Sequence, residues 1–117
     1  MANKYFIDLE NRPRAELAPG INTIVLTGDD NESVMMVLTE VSPGVTVPLH
    51  SHIHEQMGMV YSGKAMMTIA GEEREISKGD FCNIPANIEH EASCLGDEPF
   101  VMLDIFYPVR EDFLEKI

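Results

Sequence analysis

The stretch His-Ser-His-Ile-His-Glu-Gln at residues 50–56 contains three of the four histidines of this 117-residue chain. On a β-strand, residues two apart point to the same face at a spacing of about 7 Å, so His50 and His52 can reach one ion. Four successive ligands on a straight strand would span about 20 Å, which is too far for one ion. We therefore expect the chain to bend after His52, to displace His54 and to bring Gln56 back beside the two imidazoles.

The fourth histidine, His90, ends the stretch Pro-Ala-Asn-Ile-Glu-His at residues 85–90. Taken singly, each signal has another interpretation. Two strand histidines can simply face solvent, and a single histidine after a turn is more often structural than a metal ligand. The residues alone therefore leave both a metal site and a set of ordinary polar side chains open.

Short apolar and β-branched runs separated by Gly- and Pro-containing turns fill the rest of the chain. This pattern of several short, evenly spaced strands predicts an all-β antiparallel sandwich or barrel. The predicted strand runs are 21–27, 33–41, 57–61, 64–70, 73–76, 81–84, 89–95 and 100–106.

The run 100–106 is apolar on both of its alternating faces. In so small a barrel, one face of a strand is normally exposed to water. A second subunit or the N-terminal segment is therefore expected to cover the outer face of this strand. After this run, Val109, Phe113 and Leu114 have helix-like spacing behind Pro108, which predicts a short C-terminal helix.

Composition limits the possible functions. A chain of 117 residues is expected to form a single domain, residues 1–117. Twenty acidic residues against eight basic ones repel phosphate backbones and anionic lipids, so neither nucleic acid nor membrane is an expected partner. Without an apolar leader or spanning segment, and with Cys82 and Cys94 suited to buried free thiols, the expected location is the cytoplasm.

Two segments resemble the signature motifs of the cupin superfamily. The first motif, G-x5-H-x-H-x3-E-x6-G, matches residues 44–63, with Gln56 where the family most often has Glu. The second, G-x5-P-x-G-x2-H-x3-N, matches residues 79–94. There Asn87 replaces a glycine, a mild change because both tolerate left-handed backbone, and Cys94 replaces the final Asn. The resemblance implies the cupin double-stranded β-helix, a jelly-roll β-barrel.

The same resemblance implies one divalent metal ion, Ni, Zn, Mn, Fe or Co, bound by His50, His52, Gln56 and His90. Three neutral imidazoles and a neutral amide leave the charge of such an ion uncompensated. The site should therefore favour an anionic, oxygen-rich ligand. His54 is expected to hold the loop or to be exposed rather than to bind the metal.

A narrower resemblance comes from the C-terminal segment, residues 103–114, read together with residues 50–56. Both are similar to the small cupins of the KdgF type, although Ile53 stands where that group typically has Pro. The likeness implies an enzyme that opens the ring of 4,5-unsaturated monouronates from pectin or alginate to give linear keto-uronates. It also implies a catalytic pair, Asp104 and Arg110, and an active-site wall at Phe106.

Each of these three residues also has an ordinary explanation, as a strand-end carboxylate, a surface ion-pair partner and a core aromatic. Two alternative functions remain open as well. One is a metal-dependent dioxygenase or isomerase acting on another small acid, and the other is a binding protein without catalytic activity. The expected partners are a small anionic carbohydrate and a second copy of the chain in a homodimer.

Overall fold

The computed structural model describes residues 5–30 and 33–117. A 3-10 turn at Leu9–Asn11 precedes the strands, and one short helix, α1, follows them at Glu111–Leu114. The strands of the described chain are β1 Arg14–Ala18, β2 Ile21–Thr27, β3 Met35–Val41, β4 Thr46–His50, β5 Glu55–Ser62, β6 Lys64–Ile69, β7 Glu72–Ser77, β8 Phe81–Ile84, β9 His90–Leu95 and β10 Phe100–Tyr107.

These strands form two antiparallel sheets. The larger has the order β1-β2-β3-β10-β5-β8, and the smaller has the order β4-β9-β6-β7. The chain crosses between the sheets at several turns, which is the jelly-roll arrangement expected from the sequence. The all-β prediction and the short C-terminal helix are both confirmed.

Alternation along the strands places the core between the sheets. In β10, Phe100, Met102, Asp104 and Phe106 are buried, while the residues between them are only partly buried. One apolar cluster centres on Phe100 and Met102, and a second contains Phe106 and Phe113. Because Asp104 lies on the inner face between these clusters, its carboxyl group sits inside the barrel rather than at a solvated strand end.

The loop between β8 and β9 depends on one backbone conformation that few side chains tolerate. Asn87 has φ of 65°, in the left-handed region that Asn and Gly adopt most readily. Its backbone N–H donates to the carbonyl of His52 at 2.7 Å. This hydrogen bond ties the two histidine-bearing segments together.

One detail differs from the sequence-based expectations. The strands β1 and β4 were not among the predicted runs, although His50 was expected on a strand. The chain bends at Ile53 and His54, after His52 as predicted. This turn displaces His54 and returns Gln56 on β5 beside His52, also as predicted.

The outer face of the larger sheet is apolar across four neighbouring strands. One cross-strand row consists of Leu38, Leu103, Met59 and Phe81. The N-terminal segment does not bury its own aromatic residues there, since Tyr5 and Phe6 are 81% and 80% exposed.

Within the described residues, no helix has the length and apolar character needed to cross a membrane.

Candidate metal centre

Three histidines meet between the two sheets at one end of the barrel. His50 closes β4 and faces His90, which opens β9, in register. His52 follows in the loop, and one ring nitrogen of each histidine lies within 4.8 Å of those of the other two. The histidines are therefore positioned for a single ion, the geometry that the sequence predicts.

Each imidazole is oriented by a backbone carbonyl two residues away. The Nδ1 atoms of His50, His52 and His90 lie 2.7, 2.9 and 2.8 Å from the carbonyl oxygens of Pro48, His54 and Ile88. A carbonyl can only accept, so each Nδ1 carries the proton and each Nε2 keeps its lone pair. This tautomer leaves Nε2 available as a metal ligand.

At the centre of the site, the Nε2 lone pairs of His52 and His90 accept no hydrogen bond from the described residues. The Nε2 atom of His90 is buried and has no hydrogen-bond partner among the described residues. His52 Nε2 lies 3.1 Å from Gln56 Oε1, and in this tautomer both atoms are acceptors. Acceptors that converge in this way need a cation between them, so these residues fit a divalent metal ion.

The electrostatic surroundings keep the imidazoles of His52 and His90 neutral. Burial, helped by the positive charge of Arg110 and by His90, lowers the pKa of His52 to about 4. Burial is also the main cause that lowers the pKa of His90. Neutral imidazole is the form that binds metal, so these ligands are ready for an ion at neutral pH without first losing a proton.

His54 lies outside the three-histidine group. Its carbonyl orients His52, and its ring lies edge-on to the His52 ring with centroids 5.5 Å apart. Burial lowers the pKa of His54. This placement agrees with the expected role in the loop.

The fourth predicted ligand, Gln56, belongs to a buried hydrogen-bond chain. Its Nε2 donates to Asp104 Oδ1 at 3.0 Å, and the hydroxyl of Thr39 donates to Asp104 Oδ2 at 2.9 Å. Burial raises the pKa of Asp104 to about 6, and these two hydrogen bonds and Arg110 oppose that rise. Both carboxylate oxygens are therefore engaged inside the protein.

Arg110 lies against the aromatic wall of the site. Its guanidinium carbon is 5.0 Å from the ring centre of Phe106 and 4.1 Å from that of Phe113. The Nε and Nη2 atoms donate to the two carboxylate oxygens of Asp112 at 3.0 and 2.7 Å. Arg110 thus has the surface partner that the ordinary explanation allowed, and it also faces the barrel interior.

A cavity of about 120 Å³ joins these groups. Its polar lining includes Thr39, His50, Gln56, His90, Glu91, Asp104 and Arg110, and the other lining residues are apolar. Phe106 contacts both groups, since its ring packs edge-on against the His52 ring at 5.7 Å and also contacts the guanidinium of Arg110. Every predicted site residue therefore lies in this cavity or directly beside it.

Thr39 and Gly58 belong to the site but were not identified from the sequence. A side-chain carbon at Gly58 would lie 2.9 Å from Asp104 Oδ1 and 2.8 Å from Met102 Cε, so glycine leaves room for the carboxyl group. The available signal for Thr39 was its position between Val37 and Val41 on one strand face, where a hydroxyl is unexpected.

Comparison with known proteins agrees with this geometry. The cupin domain model (Cupin_2) matches residues 37–106, which include all three histidines and Gln56. The fold and the metal-ready histidine cluster are those of a cupin, and this chain belongs to the cupin family.

Within the family, the chain is similar to KdgF proteins. It is 37% identical to the pectin degradation protein KdgF of Dickeya dadantii (strain 3937) over 112 residues, or 95% of this chain and 98% of the relative. The structure of KdgF from Halomonas sp. matches with a TM-score of 0.81 at 28% identity, covering 92% and 96% of the two chains. An RmlC-like cupin from Shewanella frigidimarina matches with a TM-score of 0.83 at 26% identity, covering 93% and 95%.

Proposed function

We propose that this protein is a metal-dependent cupin enzyme that opens the ring of 4,5-unsaturated monouronates to give linear keto-uronates. The observation that carries the proposal is one cavity in which a metal-ready histidine cluster, a buried carboxyl group and a guanidinium converge. The likeness to a pectin degradation protein over nearly the whole chain supports a small sugar acid as the substrate.

His50, His52, His90 and the oxygen of Gln56 would hold the ion. When bound, a divalent metal supplies Lewis-acid polarisation of substrate oxygens. Because the four donors are neutral, the protein ligands do not neutralise the double positive charge of the ion. An oxygen-rich anion such as a uronate can neutralise it when it binds.

Asp104 is the proposed proton carrier. As a carboxylate it takes the proton of the anomeric hydroxyl while C1 becomes a carbonyl and the C1–O5 bond breaks. The electron pair moves to O5, and C4 then accepts a proton as C5–O5 becomes a ketone. One proton leaves O1 and one arrives at C4, so the isomerisation needs no co-reactant. A pKa of about 6 keeps both protonation states of Asp104 accessible near neutral pH.

Arg110 and Phe106 are the proposed substrate-binding groups. A guanidinium recognises a carboxylate through paired N–H donors. One edge of Arg110 is held by Asp112, so the Nη1 side is left for the uronate. Phe106 supplies an apolar surface on which one face of the sugar can rest.

The test is to mix the metal-loaded protein with unsaturated monouronate made by a polysaccharide lyase and to follow the loss of absorbance of the conjugated double bond. The wild-type protein should exceed spontaneous opening. Asp104→Asn should lower kcat by at least about 100-fold, the usual scale of general acid–base catalysis, and Arg110→Ala should mainly raise KM.

The matched control is Arg74→Ala, which removes an exposed guanidinium paired with Glu72 on the smaller sheet. This variant should keep the wild-type rate. No acceleration by the wild-type protein would refute the proposed activity. Unchanged kinetics in both site variants would refute the proposed residue roles.

A second candidate, oxidative cleavage of a small aromatic acid, is favoured by a partial match. The chain is 36% identical to a gentisate 1,2-dioxygenase from Ralstonia sp. over 64 residues, which is 18% of that protein. Oxygen consumption by the Fe(II)-loaded protein with gentisate distinguishes the candidates. We expect none, because Gln56 replaces the more usual carboxylate near the ion.

We further propose that the protein acts in the cytoplasm as a homodimer joined through the apolar outer face of the larger sheet. Met57, Tyr61 and Phe81 on this face are 54%, 58% and 76% exposed. In a chain with a net charge of −12, the uncharged cross-strand row of Leu38, Leu103, Met59 and Phe81 is where two copies can meet without strong repulsion.

A further inference from the structure

We propose that Thr39 is a positioning residue for the metal centre: its hydroxyl holds the Asp104 carboxyl group, which in turn keeps the Gln56 amide turned with its oxygen toward the ion. The inference rests on the metal binding of the proposed function. It adds a residue outside the cupin motifs to the machinery of the site.

The two ends of the Gln56 amide differ in what they can bind. Oxygen and NH₂ have nearly the same shape, but only the oxygen can bind a cation. Nothing in the amide itself selects one orientation. The Asp104 carboxylate does so, because Oδ1 accepts from Gln56 Nε2 at 3.0 Å and thereby leaves Oε1 beside His52.

The two oxygens of the Asp104 carboxyl group exchange places by rotation about one bond. Thr39 Oγ1 donates to Oδ2 at 2.9 Å from the neighbouring strand β3. Asp104 is only 3% exposed, and among the described residues the Thr39 hydroxyl is the side-chain donor to Oδ2. An unpaired buried acceptor costs about 1–3 kcal/mol, so the carboxyl group would turn without the hydroxyl.

Thr39, Asp104 and Gln56 lie on the inner faces of the adjacent strands β3, β10 and β5, where each is a diagonal neighbour of the next. Gly58 leaves the space that the carboxyl group needs to reach across β5. The three side chains therefore form one continuous connection from β3 to the ion site.

Thr23 offers an unusually close control. It is the direct cross-strand partner of Thr39 and is completely buried. Its hydroxyl has no hydrogen-bond partner among the described residues. Replacing either threonine by valine keeps size and β-branching, but only the change at Thr39 breaks the connection to Gln56.

The experiment measures Co²⁺ binding to metal-stripped protein by the visible absorption of the bound ion, with Zn²⁺ competition as a second reading. We expect Thr39→Val to weaken binding about tenfold, the lower end of the effect of losing a group that orients a ligand, and to change the Co²⁺ spectrum. Thr39→Ser and Thr23→Val should both match the wild-type protein.

A further arm tests whether Thr39 acts through Gln56. In a Gln56→Leu background, Thr39→Val should cause no additional loss of affinity. Three results would overturn the inference. The first is an equal loss of affinity from Thr39→Val with and without Gln56. The second is an equal effect of Thr39→Val and Thr23→Val, and the third is a Thr39→Val protein with unchanged affinity and spectrum. If Thr39→Val does not fold, Thr39→Cys, with its weak donor, gives the same comparison.

These outcomes are distinguishable from failure of the proposed function. A wild-type protein that binds neither Co²⁺ nor Zn²⁺ overturns the metal centre and this inference together. Wild-type binding with an unaffected Thr39→Val variant overturns only the role of Thr39.

Discussion

At the scale of single residues, the site is governed by how buried polar atoms are partnered. Three imidazoles donate to backbone carbonyls and so present bare Nε2 atoms to one another. Asp104 accepts from Gln56 and Thr39, yet its burial still raises its pKa. Burial of the ionised Asp104 carboxylate therefore lowers the free energy of unfolding, and this effect can be measured in the protein without metal.

Asp104→Asn should change how stability depends on pH. The folded-state pKa of about 6 lies above the ordinary value of 3.8, so the contribution of Asp104 is most favourable below about pH 4 and is lost as pH rises through 6. From about pH 4 to pH 7, the unfolding free energy of the variant should gain about 2 kcal/mol relative to the wild type.

Urea unfolding in the presence of a chelator measures this difference. The pKa of Asp104 already includes the effect of its hydrogen bonds to Gln56 and Thr39, so the change with pH reports the ionisation of the carboxyl group together with these two partners. A difference between the two proteins that stays constant from pH 4 to pH 7 would contradict the buried ionised carboxylate.

At the scale of elements, the C-terminal segment completes the cavity wall. The helix α1 is only four residues long and is held by Phe113, which is 6% exposed and packs edge-on against Phe106 at 5.7 Å. The same ring supports the guanidinium of Arg110. One aromatic side chain therefore anchors the segment and also orients the proposed substrate-binding group.

Phe113→Ala should lower the free energy of unfolding by about 3 kcal/mol, as expected for removing a buried aromatic ring. It should also raise KM for the uronate more than it lowers kcat, because Arg110 loses one of its two aromatic supports. Ile117→Ala, at a terminal residue that is 43% exposed, should change stability by less than about 0.5 kcal/mol. Equal effects of the two variants would refute the anchoring role.

Several elements could be predicted from the sequence because burial follows local alternation. The strand β10 shows the alternation directly, and the left-handed Asn87 follows from its place in the motif. The strand β1 was missed because its alternating positions carry alanine and glutamate, which have low β-propensity. Thr39 could not be assigned, since its partner is 65 residues away and depends on the register of β3 against β10.

At the scale of the whole molecule, the apolar outer face of the larger sheet is the proposed contact between two copies. Met57→Glu should convert the dimer to a monomer, because it places two like charges inside that contact. Leu49→Glu, an equally exposed apolar position on the smaller sheet, should leave the dimer intact. Sedimentation velocity checks the outcome, and a wild-type protein with the mass of one chain would rule out the dimer.

The most direct test of the central claim combines metal content and rate in one titration. Protein stripped of metal is mixed with unsaturated monouronate, and Ni²⁺, Zn²⁺, Mn²⁺, Fe²⁺ or Co²⁺ is added in steps while ring opening is followed. The account predicts that stripped protein gives only the spontaneous rate and that an effective ion raises the rate until one ion is bound per chain. Full activity in the stripped protein, or no activity with any of the five ions bound, would contradict a metal-dependent ring-opening enzyme.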